Sequence, residues 1–462
     1  MTKKPQPTRT ALPKGIAKAP TGITGLDDLT GGGLPRGRPT LVCGAAGSGK
    51  TLFGVEFLVR GAAHYDEPGV AVLFEETAEE VAANVASLGF DLPRLVAQKK
   101  LFIDHVHVER SEIEETGEYD LEGLFIRLEH AVKTVGAKRV LLDTIESLFS
   151  GLSNTSILRA ELRRLFRWLK ERGLTAVITG ERGEGTLTRH GLEEYVSDCV
   201  IWLDNRMEGQ IATRRLRVIK YRGTSHGTNE YPFLIDEQGF SVLPITSLGL
   251  THVASAERVP TGIAGLDQML GGKGYFRGSS ILVSGAAGTG KTSVAANLVA
   301  SACQRGERCL YFAFEESPSQ LVRNMRSIGL DLEPWRKQGL LRIVANRPSL
   351  FGLEMHLVAT HRAIDQFSPQ VVVLDPVTDL MAIGSELAVH SVVTRLIDYL
   401  KAKHVTAALT SLTAGGSAAA DSEVGISSLI ECPILSRIRR TLSFWAFTSF
   451  TLISQTFSRH AM

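Results

Sequence analysis

The chain reads as two tandem α/β domains of one fold, each a mostly parallel sheet with helices on both faces. Three observations predict this: a phosphate-loop pattern occurs twice, short apolar strands alternate with helical stretches, and further landmarks recur in the same order. The first loop is Gly44-Ala45-Ala46-Gly47-Ser48-Gly49-Lys50-Thr51, and the second is Gly285-Ala286-Ala287-Gly288-Thr289-Gly290-Lys291-Thr292. Both satisfy G-x-x-x-x-G-K-[ST], whose bare backbone lets successive N–H groups close on phosphate oxygens. Each follows a strand-like apolar run, Pro39–Cys43 or Ser280–Ser284, and opens a helical pattern. The phosphates are therefore expected at the positive end of a helix dipole. Lys50 and Lys291 should reach the β- and γ-phosphates, with the hydroxyls of Thr51 and Thr292 on Mg²⁺. A glycine-rich turn can match once by accident. Two copies, each in strand–loop–helix context, imply nucleoside triphosphate at two sites.

The duplication runs beyond the loops. Pro20-Thr21-Gly22-Ile23-Thr24-Gly25-Leu26-Asp27 returns as Pro260-Thr261-Gly262-Ile263-Ala264-Gly265-Leu266-Asp267. Phe74-Glu75-Glu76-Thr77 returns as Phe314-Glu315-Glu316-Ser317, and Leu88-Gly89-Phe90-Asp91-Leu92 as Ile328-Gly329-Leu330-Asp331-Leu332. In the first copy strands are expected at Leu41–Cys43, Ala71–Glu75, Val140–Asp143 and Thr175–Thr179, with helices at Leu52–Gly61 and Ile157–Glu171. Residues 1–19, rich in Lys, Pro and Thr, read as a mobile segment. The first domain is placed at 20–245 and a second, incomplete one at 246–431, with a linker over 245–259 and an atypical tail at 432–462.

At 462 residues the chain can bury two full cores. Its net charge of +2 and 22% charged residues do not describe a general nucleic-acid coat. Cysteines 43, 199, 303, 309 and 432 show no C-x-x-C or metal spacing and read as reduced thiols. No apolar run approaches the ~18 residues that span a membrane, and the polar start lacks a signal-peptide core. A cytoplasmic protein is expected.

Asp143 and Asp375 each end an apolar strand after a phosphate loop, the expected position of the Mg²⁺-side carboxylate. A lone aspartate there could equally be a helix N-cap; its recurrence favours the metal. Neither is followed by glutamate, so the water-activating group must come from elsewhere. The pairs Glu75-Glu76 and Glu315-Glu316 end the preceding strands. Adjacent carboxylates in a low-dielectric site raise one pKa, which suits a general base; Glu75 and Glu315 are favoured, with Glu76 and Glu316 assisting. The first copy alone carries Lys220-Tyr221-Arg222-Gly223-Thr224-Ser225-His226, after the basic strand Arg214–Ile219. Its cations could reach a phosphate across a subunit boundary, although a basic edge strand can also serve only to discourage aggregation.

Together these landmarks resemble the KaiC family of RecA-like P-loop ATPases, over roughly residues 15–431. The resemblance rests on the glutamate pairs, the strand-end aspartates, the P-T-G-I-x-G-L-D entry and the run Tyr221–Gly227. It implies a double-ring homo-hexamer with ATP and Mg²⁺ between protomers, a slow ATPase in the first ring and an autokinase and autophosphatase in the second. By position it assigns Gly44, Gly47, Ser48, Gly49, Lys50 and Thr51, and likewise Gly285, Gly288, Thr289, Gly290, Lys291 and Thr292, to ATP, with Lys220, Arg222 and His226 on the neighbour's nucleotide. Ser427 and Ser428 match the family's adjacent phospho-acceptors, where the first copy has Glu194-Tyr195. Kai-type proteins or histidine-kinase and response-regulator proteins are the implied partners.

After Glu431 the pattern breaks. Pro433 falls where a central strand is expected, and Cys432–Met462 contains no Asp, Glu or Gly. A shifted reading frame or degraded end is the expectation, with an amphipathic docking segment as the alternative; the second copy then lacks a counterpart of Lys220 and Arg222. Two other functions compete with the signalling ATPase. A DNA-dependent recombinase or helicase motor needs a basic or aromatic strand-binding stripe, which near-neutral charge does not advertise. A scaffold would use ATP only to assemble.

Overall fold

The computed structural model describes residues 15–106, 121–148, 155–183, 188, 197–208, 211–243, 255–350 and 352–413. The chain divides into two compact units, Met1–Thr246 and Ser247–Met462. In the first, β1 (Lys18–Ala19) pairs antiparallel with β2 (Leu34–Pro35). The main sheet comprises β3 (Pro39–Gly44), β4 (Gly69–Leu73), β5 (Leu101–His105), β6 (Arg139–Asp143), β7 (Thr175–Glu181), β8 (Cys199–Glu208), β9 (Ile211–Tyr221), β10 (Glu230–Asp236) and β11 (Gly239–Val242). Its order is β11-β10-β9-β8-β3-β7-β6-β4-β5. Neighbours from β8 to β5 are parallel. Strands β9, β10 and β11 add an antiparallel meander beyond β8.

Side chains alternate across each strand, so the apolar runs feed two cores. Val42, Ala71, Leu141, Val177 and Ile201 pack with Phe53, Phe57 and Leu58 of the helix Lys50–His64. On the other face Leu41, Val70, Val72, Val140, Leu142 and Ile178 meet the helices Glu122–Val135 and Thr155–Glu171. The second of these presents Leu158, Leu162, Leu165, Phe166 and Leu169, one stripe at helical spacing. Helices on both faces of a mostly parallel sheet are thus what the chain builds.

The second unit repeats the plan: β12 (Arg258–Val259) pairs with β13 (Tyr275–Phe276), and β14 (Ser280–Gly285), β15 (Cys309–Ala313), β16 (Leu341–Ala345), β17 (Val371–Asp375) and β18 (Thr406–Leu412) form a parallel sheet. Its order, β14-β18-β17-β15-β16, matches β3-β7-β6-β4-β5. Among the described residues β14 has no counterpart of β8 beside it.

Three boundaries differ from expectation. Residues 18 and 19 are not a loose tail but strand β1, and Arg258–Val259, assigned to the linker, is strand β12. The reason lies in two glycines. A Cβ on Gly33 or Gly274 would stand 2.1 Å from the carbonyl oxygen of Ala19 or Val259, so bare backbone lets these short strands seat. The strand expected at Ala71–Glu75 ends at Leu73, and the glutamates follow in a bend.

The P-T-G-I-x-G-L-D entry has a local cause. The Asp27 carboxylate accepts from Thr21 N at 2.9 Å, Thr21 Oγ1 at 2.7 Å and Gly22 N at 3.1 Å. Asp267 accepts from Thr261 N at 2.9 Å. Beneath this turn the fully buried Arg139 donates to Glu67 (2.7 Å), Phe57 O (2.8 Å) and Pro20 O (2.7 Å). A buried guanidinium persists only with its donors met.

In the second unit His361, on the helix Leu353–Phe367, stacks on Tyr399 with ring centroids 3.7 Å apart. Burial pushes its pKa from 6.5 down to about 4; the nearby Asp365 carboxylate opposes this and Lys403 reinforces it. The folded unit therefore binds fewer protons than the unfolded chain between those values. Its stability is full above pH 6.5 and falls as the pH drops toward 4. His361→Phe keeps the stack and removes the proton site. Urea titrations at several pH values should show the second unit losing on the order of 3 kcal/mol across this window in the parent and clearly less in the variant.

Candidate nucleotide sites

Each phosphate loop leaves the C-terminal end of a sheet strand and enters a helix at its own lysine, as Lys50–His64 and Lys291–Gln304. Gly47 and Gly49 have φ of 71° and 96°, Gly288 and Gly290 of 77° and 87°, a left-handed region that strains any other residue. A Cβ on Gly44 would lie 2.4 Å from Leu203 O, whereas Gly47 has nothing within 4 Å. Packing therefore dictates glycine at 44, and the turn dictates it at 47, where space is open. Lys50 Nζ donates to the carbonyls of Gly44 and Ala45, both at 3.0 Å. Lys291 does the same to Gly285 (2.9 Å) and Ala286 (2.8 Å). Ser48 Oγ is buried with no hydrogen-bond partner among the described residues. The loop backbone and its lysine thus stand at a helix N-terminus, an arrangement that fits the phosphates of a nucleoside triphosphate.

The strand order brings the acidic residue to the loop. Strand β7 lies between β3 and β6, and the Thr179 hydroxyl donates to Asp143. Burial pushes the Asp143 pKa up, while the hydroxyls of Thr179 and Thr51 and the charge of Lys50 pull it down. In the second unit Thr410 on β18 and Tyr311 Oη (2.5 Å) both donate to Asp375. Among the described residues no group of three or more His, Cys, Asp or Glu is arranged to hold a metal alone. A Mg²⁺ fits the sparser donor set of Thr51 with Asp143, which are hydrogen-bonded, because this ion keeps waters and phosphate oxygens as its other ligands; Thr292 and Asp375 hold the equivalent positions in the second unit.

The glutamate pairs lie beside these aspartates. Phe74 N donates to Asp143 O and Phe314 N to Asp375 O, both at 2.9 Å, continuing the strand pairing by one residue. Glu75 Oε1 then accepts from Thr144 Oγ1 at 2.9 Å and Ser147 Oγ at 2.8 Å. Glu76 accepts from Asn84 at 3.3 Å. Its pKa is raised, first by burial and then by the charges of Asp143, Glu80 and Glu75. The expected upward shift within the pair thus falls on Glu76, and Glu75 is the one that hydroxyls orient. In the second unit Glu316 accepts from Asn324 at 2.9 Å. The Asp379 pKa rises to about 6, through burial and then the charges of Glu315 and Asp375. Sequence reasoning passed over Asp379 and also Glu146, which accepts from Glu181 N at 2.6 Å. Laying Asp143–Ser147 against Asp375–Asp379 would have exposed both.

Lys220, Arg222 and His226 are not part of this cluster. The final residue of β9, Tyr221, pairs with Cys199, which pairs with Thr40 near the start of β3. Gly44 lies four residues of strand away, about 13 Å along the sheet. Arg222 N donates to Asp198 O at 2.9 Å, and its guanidinium stands 3.8 Å from the buried Asp198 carboxylate, which Lys170 also meets at 2.5 Å. His226 Nδ1 is buried without a hydrogen-bond partner among the described residues. The meander beyond β8 also braces the first loop: Phe240 N donates to Glu56 Oε2 at 2.7 Å, and a Cβ on Gly49 would meet Ile235 at 2.8 Å. Ser427 and Ser428, with all of 414–462, lie outside the described residues.

Among the described residues no helix is long and apolar enough to cross a membrane. A family model described as "ATPase: KaiC" matches residues 19–247 and 259–441, ten residues past the break expected at Glu431. The chain is 60% identical over 419 residues to the circadian clock protein KaiC2 of a Synechocystis species, covering 90% of this chain and 74% of that protein. It is 42% identical over 406 residues to the circadian clock oscillator protein KaiC of Synechococcus elongatus, covering 87% and 78% respectively. The corresponding protein of Parathermosynechococcus lividus is 40% identical over 402 residues, covering 87% and 74%. With two phosphate loops, strand-end aspartates and glutamate pairs set on two copies of one sheet plan, and with these matches, this chain belongs to the KaiC family of ATPases.

Proposed function

We propose that the protein is a hexameric, clock-type or stress-linked signalling ATPase that hydrolyses Mg-ATP in its first unit and phosphorylates its own serines from its second. One observation carries the assembly. The cations of Lys220 and Arg222 stand at the opposite end of the sheet from the loop of their own unit. They cannot serve the nucleotide bound there, but they can complete a site on a neighbouring copy, as ring ATPases do. The Asp198 carboxylate, 3.8 Å from its guanidinium, holds Arg222 near that position.

In each unit the loop N–H groups and Lys50 or Lys291 hold the phosphates, and Thr51 with Asp143, or Thr292 with Asp375, hold Mg²⁺. The metal supplies charge neutralisation at the leaving phosphates. Glu75, pinned by two hydroxyls, orients and deprotonates the attacking water, with Glu76 beside it. Glu315 and Glu316 take the equivalent places. Ser427 and Ser428 are the acceptors in the second unit. The names of the relatives point to Kai-type partners, and a cytoplasmic location accords with this reading.

Sizing by light scattering with and without Mg-ATP should show a shift from smaller species to a hexamer. Lys220→Ala together with Arg222→Ala should weaken phosphate release while each chain still folds; full turnover in that variant overturns the inter-subunit role. Glu75→Gln with Glu76→Gln should lower first-unit hydrolysis by about 100-fold or more with nucleotide still bound. After incubation with Mg-ATP, mass spectrometry should place phosphate on Ser427 or Ser428; an unlabelled 427–428 peptide removes the kinase assignment.

A further inference from the structure

The entry turn is closed differently in the two units. In the second, Arg258 of β12 lies over the Phe276 ring at 3.8 Å and donates to two carbonyls of its own turn, Gly274 O at 3.0 Å and Leu270 O at 3.2 Å. The equivalent carbonyls of the first unit are Gly33 O and Thr30 O, and there one side chain no longer serves both. Lys18 of β1, at the position of Arg258, donates to Thr30 O. Gly33 O accepts instead from Tyr221 Oη at 2.8 Å. Lysine is a point donor where arginine is a planar fork, so the exchange leaves one carbonyl of the turn to a residue from elsewhere in the chain. That residue belongs to the run that carries Arg222. The ammonium of Lys18 bridges to the same run: it stands 4.3 Å from the centre of the Tyr221 ring and donates to Thr224 Oγ1 at 3.2 Å. Two backbone approaches complete the seat. A Cβ on Gly223, whose φ is 79°, would lie 2.3 Å from the Ile16 side chain, and Gly227 N donates to Leu29 O at 3.4 Å. Arg222 thus sits between two residues, Tyr221 and Thr224, that Lys18 holds.

We propose that Lys18 is a positioning residue for hydrolysis in the neighbouring copy: it clamps the Tyr221–Thr224 turn to the entry turn and so holds the cations of Lys220 and Arg222 where the next protomer's nucleotide meets them. The inference rests on the inter-subunit reading of those cations. Lys18 lies over Tyr221, whose partner across β8 faces Thr40 near the start of β3, so it stands with the cations and away from the loop of its own unit. A cation stabilises the charge that develops on a transferring phosphoryl only if it is already in place. Arg222 leads directly into Gly223, whose left-handed backbone gives the chain freedom at that point, so the turn stays put only if it is tied on both sides. Tyr221 and Thr224 are those ties. Where arginine closes its turn alone, in the second unit, no such run is present among the described residues. Loss of the Lys18 ammonium should therefore slow the chemical step in the adjoining site and leave nucleotide affinity nearly as it was.

The test uses the full chain carrying Glu315→Gln and Glu316→Gln, so that phosphate release reports the first unit. In that parent, Lys18→Met keeps the aliphatic stem and removes the donor, and Thr224→Val removes the acceptor without touching the entry turn. kcat should fall about tenfold and about threefold respectively, with KM changed by less than about twofold. A parental kcat in Lys18→Met overturns the proposal, and so does a loss that appears in KM alone. Should Lys18→Met fail to assemble on sizing, Thr224→Val carries the same test. Mixed assemblies then locate the defect. Lys18→Met chains are combined equally with parent chains that also carry Glu75→Gln and Glu76→Gln, which leaves an intact loop facing an intact Lys18 at about one site in four. The mixture should release phosphate at about a quarter of the parent rate, against about a twentieth if no site is repaired. The lower figure puts the effect of Lys18 inside its own chain and overturns the proposal. Lys220→Ala with Arg222→Ala, mixed in the same way, keeps the two readings apart. If that variant is not repaired either, the inter-subunit reading fails; if it is repaired while Lys18→Met is not, the role of Lys18 alone fails.

Discussion

Burial of a carboxylate at the tip of a central strand, within reach of the loop lysine, is the constraint on which the rest of each unit depends. Asp143 sits at the end of β6, and β7 is threaded between it and the loop-bearing β3. An anion so placed is tolerated because Thr179 and Thr51 donate to it and the ammonium of Lys50 balances it. Asp375 repeats the solution with Thr410 and Tyr311. Everything else in the unit serves to bring three chain segments, distant in sequence, to the same end of one sheet. That placement is general for parallel α/β sheets, where the strand ends open onto loops and helix N-termini.

The duplication is faithful in the frame and unfaithful in its chemistry. Strand order, loop dihedrals, the lysine contacts and the aspartate-capped entry turn recur almost unchanged. The divergences lie both beside the strand-end carboxylates and at the far end of the sheet. Buried Arg139 has Val371 in its place, whereas the Arg36–Glu67 ion pair beside it recurs as Arg277–Glu307. Thr144 and Ser147 give way to Pro376 and Asp379. The meander that supports Gly49 has no counterpart around Gly290 among the described residues.

Much of this was legible in the chain. The phosphate loops and the apolar runs at Val140–Asp143 and Val371–Asp375 carry strong local signals, because backbone chemistry and burial leave few alternatives at those positions. The faces of the helices were equally readable, since Leu158, Leu162, Leu165 and Leu169 can only form one stripe. Strands β1 and β12 were missed because two-residue strands have no periodicity. Their pairing depends on Gly33 and Gly274, whose role is visible only as an approach of backbone to backbone.

By itself the sequence determined the fold class, the two loops, the candidate acids and the family, because each of these is written in residue type and short spacing. Tertiary structure alone decided which carboxylate is oriented and which is pushed up in pKa, since both depend on hydroxyls and charges brought from other strands. It also decided that Lys220 and Arg222 stand away from their own loop. Strand polarity sets that distance: β9 runs antiparallel to the strands that carry the site, so its end lies where theirs begin, and no count of residues along the chain reveals it.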